Sequence, residues 1–127
     1  MEDFTPETMV DPYLECVLFT DLPDGEVGSG EFSAGDRLRR FGKREREAVA
    51  DDIRRFLEDA KPILDRSDYR PDQAARDFWF TRCGHGCGFW DQEHCSQSDA
   101  DALTTIAKRF PAQRMYKAGG WYRIEGA

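Results

Sequence analysis

Residues 83 to 87 read Cys-Gly-His-Gly-Cys, set inside the stretch "DFWFTRCGHGCGFWD" at 77 to 91. Thiols and an imidazole are the donors that a tetrahedral zinc takes, and Cys83, His85 and Cys87 with His94 or Cys95 reach the required ligand number. The spacing lacks the paired Cys-x-x-Cys that makes a zinc site legible, so metal is the less favoured reading and no cofactor is implied. A second chemistry makes His85 a general acid or base in a glycine-lined recess, with Asp77 or Asp91 orienting the imidazole and Arg82 clamping an anion. No phosphate loop and no second histidine at motif spacing accompany it, so the chain presents no catalytic constellation. The third reading is a turn: the glycines supply positive φ, His85 bonds to nearby backbone, and Arg82 pairs with Asp91 across a hairpin. The residue types support the turn best. A Cys83–Cys87 bridge fits a tight hairpin geometrically, but a reducing compartment disfavours it.

The elements that must position this block follow from periodicity. "DPYLECVLF" offers Asp11 as an N-cap, Pro12 at the first helical position and Leu14, Val17 and Leu18 on one side, which predicts a helix over 12–20. Residues 20–36, rich in Gly, Asp and Ser, read as a mobile acidic loop, and residues 1–10 as a loosely ordered segment. Val49, Ile53, Phe56, Leu57 and Ala60 recur at spacings of three and four, predicting an amphipathic helix over 43–61 that Pro62 ends or kinks. "DRSDYRPDQAAR" reads as a polar connection. The aromatic flanks of the central block predict strands at 77–82 and 88–91, with Trp79 on the face opposite Phe78 and Phe80. Trp79 and Trp90 are then candidates for a contact platform. A Ser98-x-x-Asp101 cap and the stripe Leu103, Ile106, Ala107 and Phe110 predict a helix over 99–110, and "RMYKAGGWYRIE" predicts a closing hairpin turning at Ala118, Gly119 and Gly120.

The order ααββαββ implies an α+β fold: a single two-layer domain over 1–127, with an antiparallel sheet of about four strands in two hairpins and helices on one face. Val49, Ile53, Phe56, Leu57, Leu103, Ile106 and Phe110 are the expected core. With 127 residues the length suits one domain, and nine Phe, four Tyr and three Trp mark it as a folding sequence.

The net charge of −7 argues against nonspecific binding to nucleic acid or an anionic membrane, which reward Lys and Arg. No segment reads as a signal or a membrane span, which places the chain in a cytoplasm with free thiols. The charge is uneven. Residues 1 to 36 hold ten carboxylates and no Lys or Arg, whereas "RLRRFGKRER" at 37 to 46 holds six basic residues and one Glu. An acidic face suits a partner protein with a basic surface, where charge raises association rate and specificity. Asp21, Asp24, Glu26 and Glu31 in the loop and Asp99 and Asp101 at a helix start are its expected contributors.

"YLECVLF", the central block, "DALTTIAK" and "MYKAGGWYRIE" together resemble a family of small, functionally unassigned accessory proteins of tailed bacteriophages and prophages, in order from Tyr13 to Ile124. The shared core is a "DFWxTRxGHGxGFWD" pattern. Cys83 and Cys87 stand where that pattern has Asn and Ala, so a zinc role for them would be private to this chain. The resemblance implies a phage or prophage origin and action in the host bacterial cytoplasm; it carries no biochemical activity. The leading expectation is a noncatalytic protein that binds and inhibits a host protein, in the manner of an anti-defence factor. The alternatives are a small-ligand or nucleotide-sequestering protein using Trp79, Trp90, Arg82 and His85, and a metal-dependent enzyme centred on His85.

Overall fold

The computed structural model describes residues 3–22, 34–91 and 93–126. Among these the architecture is helical: α1 Pro6–Asp21, α2 Ala34–Leu38, α3 Lys43–Asp65, α4 Pro71–Cys83 and α5 Gln97–Ala107, followed by one antiparallel hairpin, β1 Met115–Ala118 and β2 Trp121–Ile124. The four-stranded sheet and the two-layer α+β arrangement are therefore overturned. No helix among the described residues is long and apolar enough to cross a membrane.

α1 starts six residues before the expected Pro12. Thr5 and Thr8 form a reciprocal cap. The Thr8 amide donates to Thr5 Oγ1 at 3.2 Å and the Thr5 amide to Thr8 Oγ1 at 3.1 Å. Pro6 occupies the first turn, where its missing N–H costs nothing. Residues 6–10, expected to be loose, are thus helical, and Phe4 and Met9 are buried in the core. Pro12 sits inside the helix and costs it one internal hydrogen bond. The predicted loop over 20–36 falls largely on 23–33, outside the described residues.

α3 contributes a long buried stripe to the core. Val49, Ile53, Phe56, Leu57, Ala60 and Leu64 are buried, and the same stripe carries the helix through Pro62, the expected end or kink, to Asp65. Ser96, not Ser98, caps α5, its hydroxyl accepting from the Asp99 amide at 3.1 Å. Leu103, Ile106 and Ala107 face inward from α5, and Phe110 lies just beyond it, half-buried. The hairpin stands as expected. Gly119 and Gly120, at φ 59° and 84°, make its two-residue turn, and positive φ at both positions matches the twist of the flanking strands. It docks at the rim: Met115, Tyr122 and Ile124 point inward, and the Tyr122 amide donates to the Arg40 carbonyl at 2.9 Å.

Residues 71–83 form a helix in place of the predicted polar connection and strand. Pro71 occupies the first turn and Gly84, at φ 70°, closes the end. Beyond it the His85 amide donates to Phe80 O at 3.1 Å and the Gly84 amide to Thr81 O at 3.3 Å. The segment is buried on nearly every side through Ala74, Ala75, Asp77, Phe78, Trp79, Thr81 and Arg82. A strand there would leave its amides to pair with a neighbour. The helix satisfies them internally while α1 and α3 cover the side chains. Residues 88–91, also predicted as a strand, contain a 3-10 turn, Phe89–Asp91, whose Asp91 amide donates to Gly88 O at 3.1 Å.

Candidate functional site

The helical geometry of α4 disperses the residues that stand together in sequence. Arg82 is 5 % exposed and ties three segments together. Its Nε and Nη2 donate to Pro111 O at 3.0 and 2.8 Å, and Nη1 donates to Asp52 Oδ2 at 2.8 Å and to the Tyr13 hydroxyl at 3.2 Å. The guanidinium also lies over the Phe78 and Phe110 rings, 5.5 and 5.4 Å from their centroids, where the ring faces attract its positive charge. Four of the five N–H donors of this guanidinium are thus engaged by the protein. The expected pairing with Asp91 is replaced by Asp52, and Asp91 is exposed.

Trp79, a candidate for a contact platform, is instead fully buried, its ring edge-on to Tyr13 and its Nε1 donating to Thr20 Oγ1 at 2.9 Å. Asp77 is likewise buried: Oδ2 accepts from the Tyr69 hydroxyl at 2.8 Å, while Oδ1 accepts no hydrogen bond and has Arg76 Nε at 3.6 Å. Burial raises this carboxyl above its ordinary pKa. His85, by contrast, is exposed beside the Trp79 and Phe80 rings, so an Asp77–His85 relay is not assembled. Gly88 is wedged where a Cβ would overlap Thr81 Oγ1 and the Trp90 ring, which lets Phe89 reach the core and its amide donate to Thr81 Oγ1 at 3.3 Å. The glycine block therefore works as a helix stop followed by a tight re-entry.

The thiols are free and half-buried. Cys83 Sγ donates to Gln113 O at 3.4 Å. Burial pushes Cys16 up to about 12 and raises Cys83, Cys87 and Cys95, which keeps them protonated at neutral pH. Among the described residues no group of three or more His, Cys, Asp and Glu side chains comes together in a way that could hold a metal ion. His94 instead lies against Tyr69, ring centroids 4.7 Å apart.

The anticipated acidic contributors also divide. Asp21 Oδ2 accepts the Met115 amide at 3.0 Å and anchors the hairpin to α1. Asp99 is gripped by Arg66 at 2.6 and 3.1 Å, which holds its carboxyl below the ordinary range. Asp101 is exposed and accepts from Gln97 Nε2 at 2.9 Å, and Asp24, Glu26 and Glu31 lie outside the described residues. Of the aromatic pair, only Trp90 remains at the surface, with Lys108 Nζ 5.8 Å above its ring.

A different acidic surface stands in their place. Glu7, Asp11, Glu15 and Phe19 occur every fourth residue along α1 and are all exposed, Phe19 at 83 %. On the neighbouring flank, Thr8 and Pro12 wall a cleft of about 1080 Å³ whose rim includes Asp3, Asp65, Asp68 and Asp72. Internal cations partly offset these charges: Lys61 holds Asp3 and Asp65 at 3.1 and 2.9 Å, and Arg46 holds Asp11 at 2.9 Å. The fourfold spacing is present in the sequence, but the start signal at Pro12 hides its first half. No family model matches the chain, and neither the curated proteins nor the solved structures offer a match.

Proposed function

We propose that this chain is a noncatalytic interaction protein whose acidic face docks on a basic surface of another protein and blocks it. The observation that carries this reading is the line Glu7, Asp11, Glu15 and Phe19 on the outward side of α1. Like charges four residues apart cost a helix about 0.2 to 0.5 kcal/mol per pair, and an aromatic ring exposed at the end of the line does nothing for the core. The arrangement suits a partner: carboxylates steer the encounter and the Phe19 ring supplies a desolvated anchor. The block that carries the phage resemblance adds support from the other side, because its Asp77, Thr81 and Arg82 are occupied with holding the fold. With the phage or prophage origin that the resemblance implies, the partner in this reading is a host protein, which docking would inhibit.

The test places a photo-cross-linking amino acid at Phe19 and, as a control, at exposed Glu58 on α3, in bacterial lysate. We expect one stoichiometric adduct from position 19, lost when Glu7, Asp11 and Glu15 are changed to Lys, and none from position 58. Equal adducts from both positions, or an adduct indifferent to charge reversal, would remove the acidic face from the reading.

A further inference from the structure

A net charge of −7 speaks against nucleic acid only if the charge is spread evenly, and the fold does not spread it. The basic run at 37–46 is brought against the closing hairpin by the Tyr122 amide donating to Arg40 O at 2.9 Å and by the Phe41–Tyr122 bridge. The Phe41 and Tyr122 rings meet at 5.4 Å, and the Arg40 guanidinium lies 5.7 Å from the Tyr122 centroid. The hairpin adds Arg114, Lys117 and Arg123 to the same end of the molecule. Carboxylates there are fewer: Asp36 meets Arg39 at 2.7 Å, Glu47 meets Lys43 at 3.8 Å, buried Glu45 meets Arg123 at 3.3 Å, Asp11 meets Arg46 at 2.9 Å, Glu7 shares a groove with Lys43, and exposed Glu125 donates its amide to Arg114 O at 2.8 Å. The first two pairs are highly exposed, and exposed pairs are held so weakly that a polyanion can exchange for them.

The hairpin's outward face supplies a second, independent feature. Since Met115, Tyr122 and Ile124 face the core, alternation turns Tyr116, Ala118 and Trp121 to solvent. The register pairs Tyr116 with Arg123 and Ala118 with Trp121, which makes the two aromatic residues diagonal neighbours on one face. They are 51 % and 49 % exposed. Such neighbours stand about 7 to 8 Å apart, and the tight Gly119–Gly120 turn raises no bulky side chain beside them.

We propose that this end of the molecule binds single-stranded nucleic acid, with bases stacking on Tyr116 and Trp121 and phosphates taken by Arg39, Lys43 and Arg114. Aromatic faces interleaved with cations are how sequence-tolerant single-strand binders work, because every base has a π-face and every nucleotide a phosphate. A duplex hides its base faces and has no use for the platform. Carboxylates of an acidic protein would use the cations and leave the rings idle.

Fluorescence anisotropy of labelled oligo-dT and oligo-U, each of about twelve nucleotides, a length within known single-strand site sizes, tests this at about 50 and about 150 mM salt. We expect binding at the lower salt, a loss of about tenfold for each of Tyr116→Ala and Trp121→Ala, and a shallower salt dependence for Arg39→Glu with Lys43→Glu. Both aromatic positions are exposed, so unchanged circular dichroism and melting should accompany the lost affinity. Glu15→Lys on the acidic face should not weaken oligonucleotide binding, which separates this proposal from the preceding one. Absence of binding at the lower salt overturns it. So does aromatic-variant binding equal to wild type with full competition by polyglutamate, which would identify the patch as a surface for an acidic protein.

Discussion

Replacing Arg82 by Ala decides whether the central block is a scaffold or a site. The wild-type side chain makes two bonds to Pro111 O, one to Asp52 and one to the Tyr13 hydroxyl, and it covers the Phe78 and Phe110 rings. Hydrogen bonds that involve a charged group contribute about 1.5 to 3 kcal/mol, and breaking a buried pair costs about 3 to 5 kcal/mol because the surviving charge is stranded. Asp52 is not wholly stranded, since Arg55 still reaches its other oxygen. The expected loss is therefore near the lower end, about 3 to 4 kcal/mol, or a fall in melting temperature of about 10 to 15 °C for a domain of this size. Urea denaturation followed by tryptophan fluorescence, to which buried Trp79 contributes, measures it. Arg82→Lys, which keeps the charge without the fork, should lose about half as much, and a double-mutant cycle with Asp52→Asn should return a coupling of at least about 1 kcal/mol. A loss below about 1 kcal/mol for Arg82→Ala, less than a single charged hydrogen bond contributes, would refute the structural assignment and return Arg82 to the role of an anion clamp.

Three further outcomes follow from the same geometry. Gly88→Ala should destabilise by about 1 to 3 kcal/mol in thermal melts, because its Cβ collides with Thr81 Oγ1 and the Trp90 ring and forces them apart. Asp77 binds its proton more tightly folded than unfolded, so stability should fall as pH rises above the ordinary carboxyl value of 3.8, and Asp77→Asn should flatten that stretch of the pH–stability curve. A curve of unchanged slope in the Asn variant would clear Asp77 of responsibility. Cys83→Asn with Cys87→Ala should leave the fold intact, with circular dichroism unchanged, since Cys83 makes one bond to Gln113 O that Asn can replace; no zinc should be released on denaturation, because among the described residues no three candidate ligands converge.

The sequence by itself determined the parts whose signal is local. α3 and α5 announce themselves because one face is apolar and the other charged, and the hairpin because two glycines with positive φ separate two alternating segments. The core residues of α3 follow from the same spacing. α4 carries a local signal too, proline at its start and glycine just past its end, but its period is invisible. A helix buried on nearly every side has no polar face to contrast with, and its Phe-Trp-Phe run then reads as strand. The start of α1 is ambiguous because Thr5-Pro6 and Asp11-Pro12 are the same signal written twice, and only the reciprocal Thr5–Thr8 cap shows which one opens the helix.

What only the tertiary structure decided is the use to which each charged or aromatic residue is put. Arg82 and Asp52 are 30 residues apart in sequence and 2.8 Å apart in space, and nothing local distinguishes that arginine from its exposed neighbours. Trp79 and Trp121 look alike in the chain, yet one is sealed beneath α1 and the other stands open on a sheet face. The acidic line of α1 appears once the helix is known to begin at Pro6, and the basic end appears once the Arg40 carbonyl is bonded to Tyr122. Long-range packing made these choices because burial selects among chemically equivalent side chains by the partners available at each site, and those partners come from other parts of the chain.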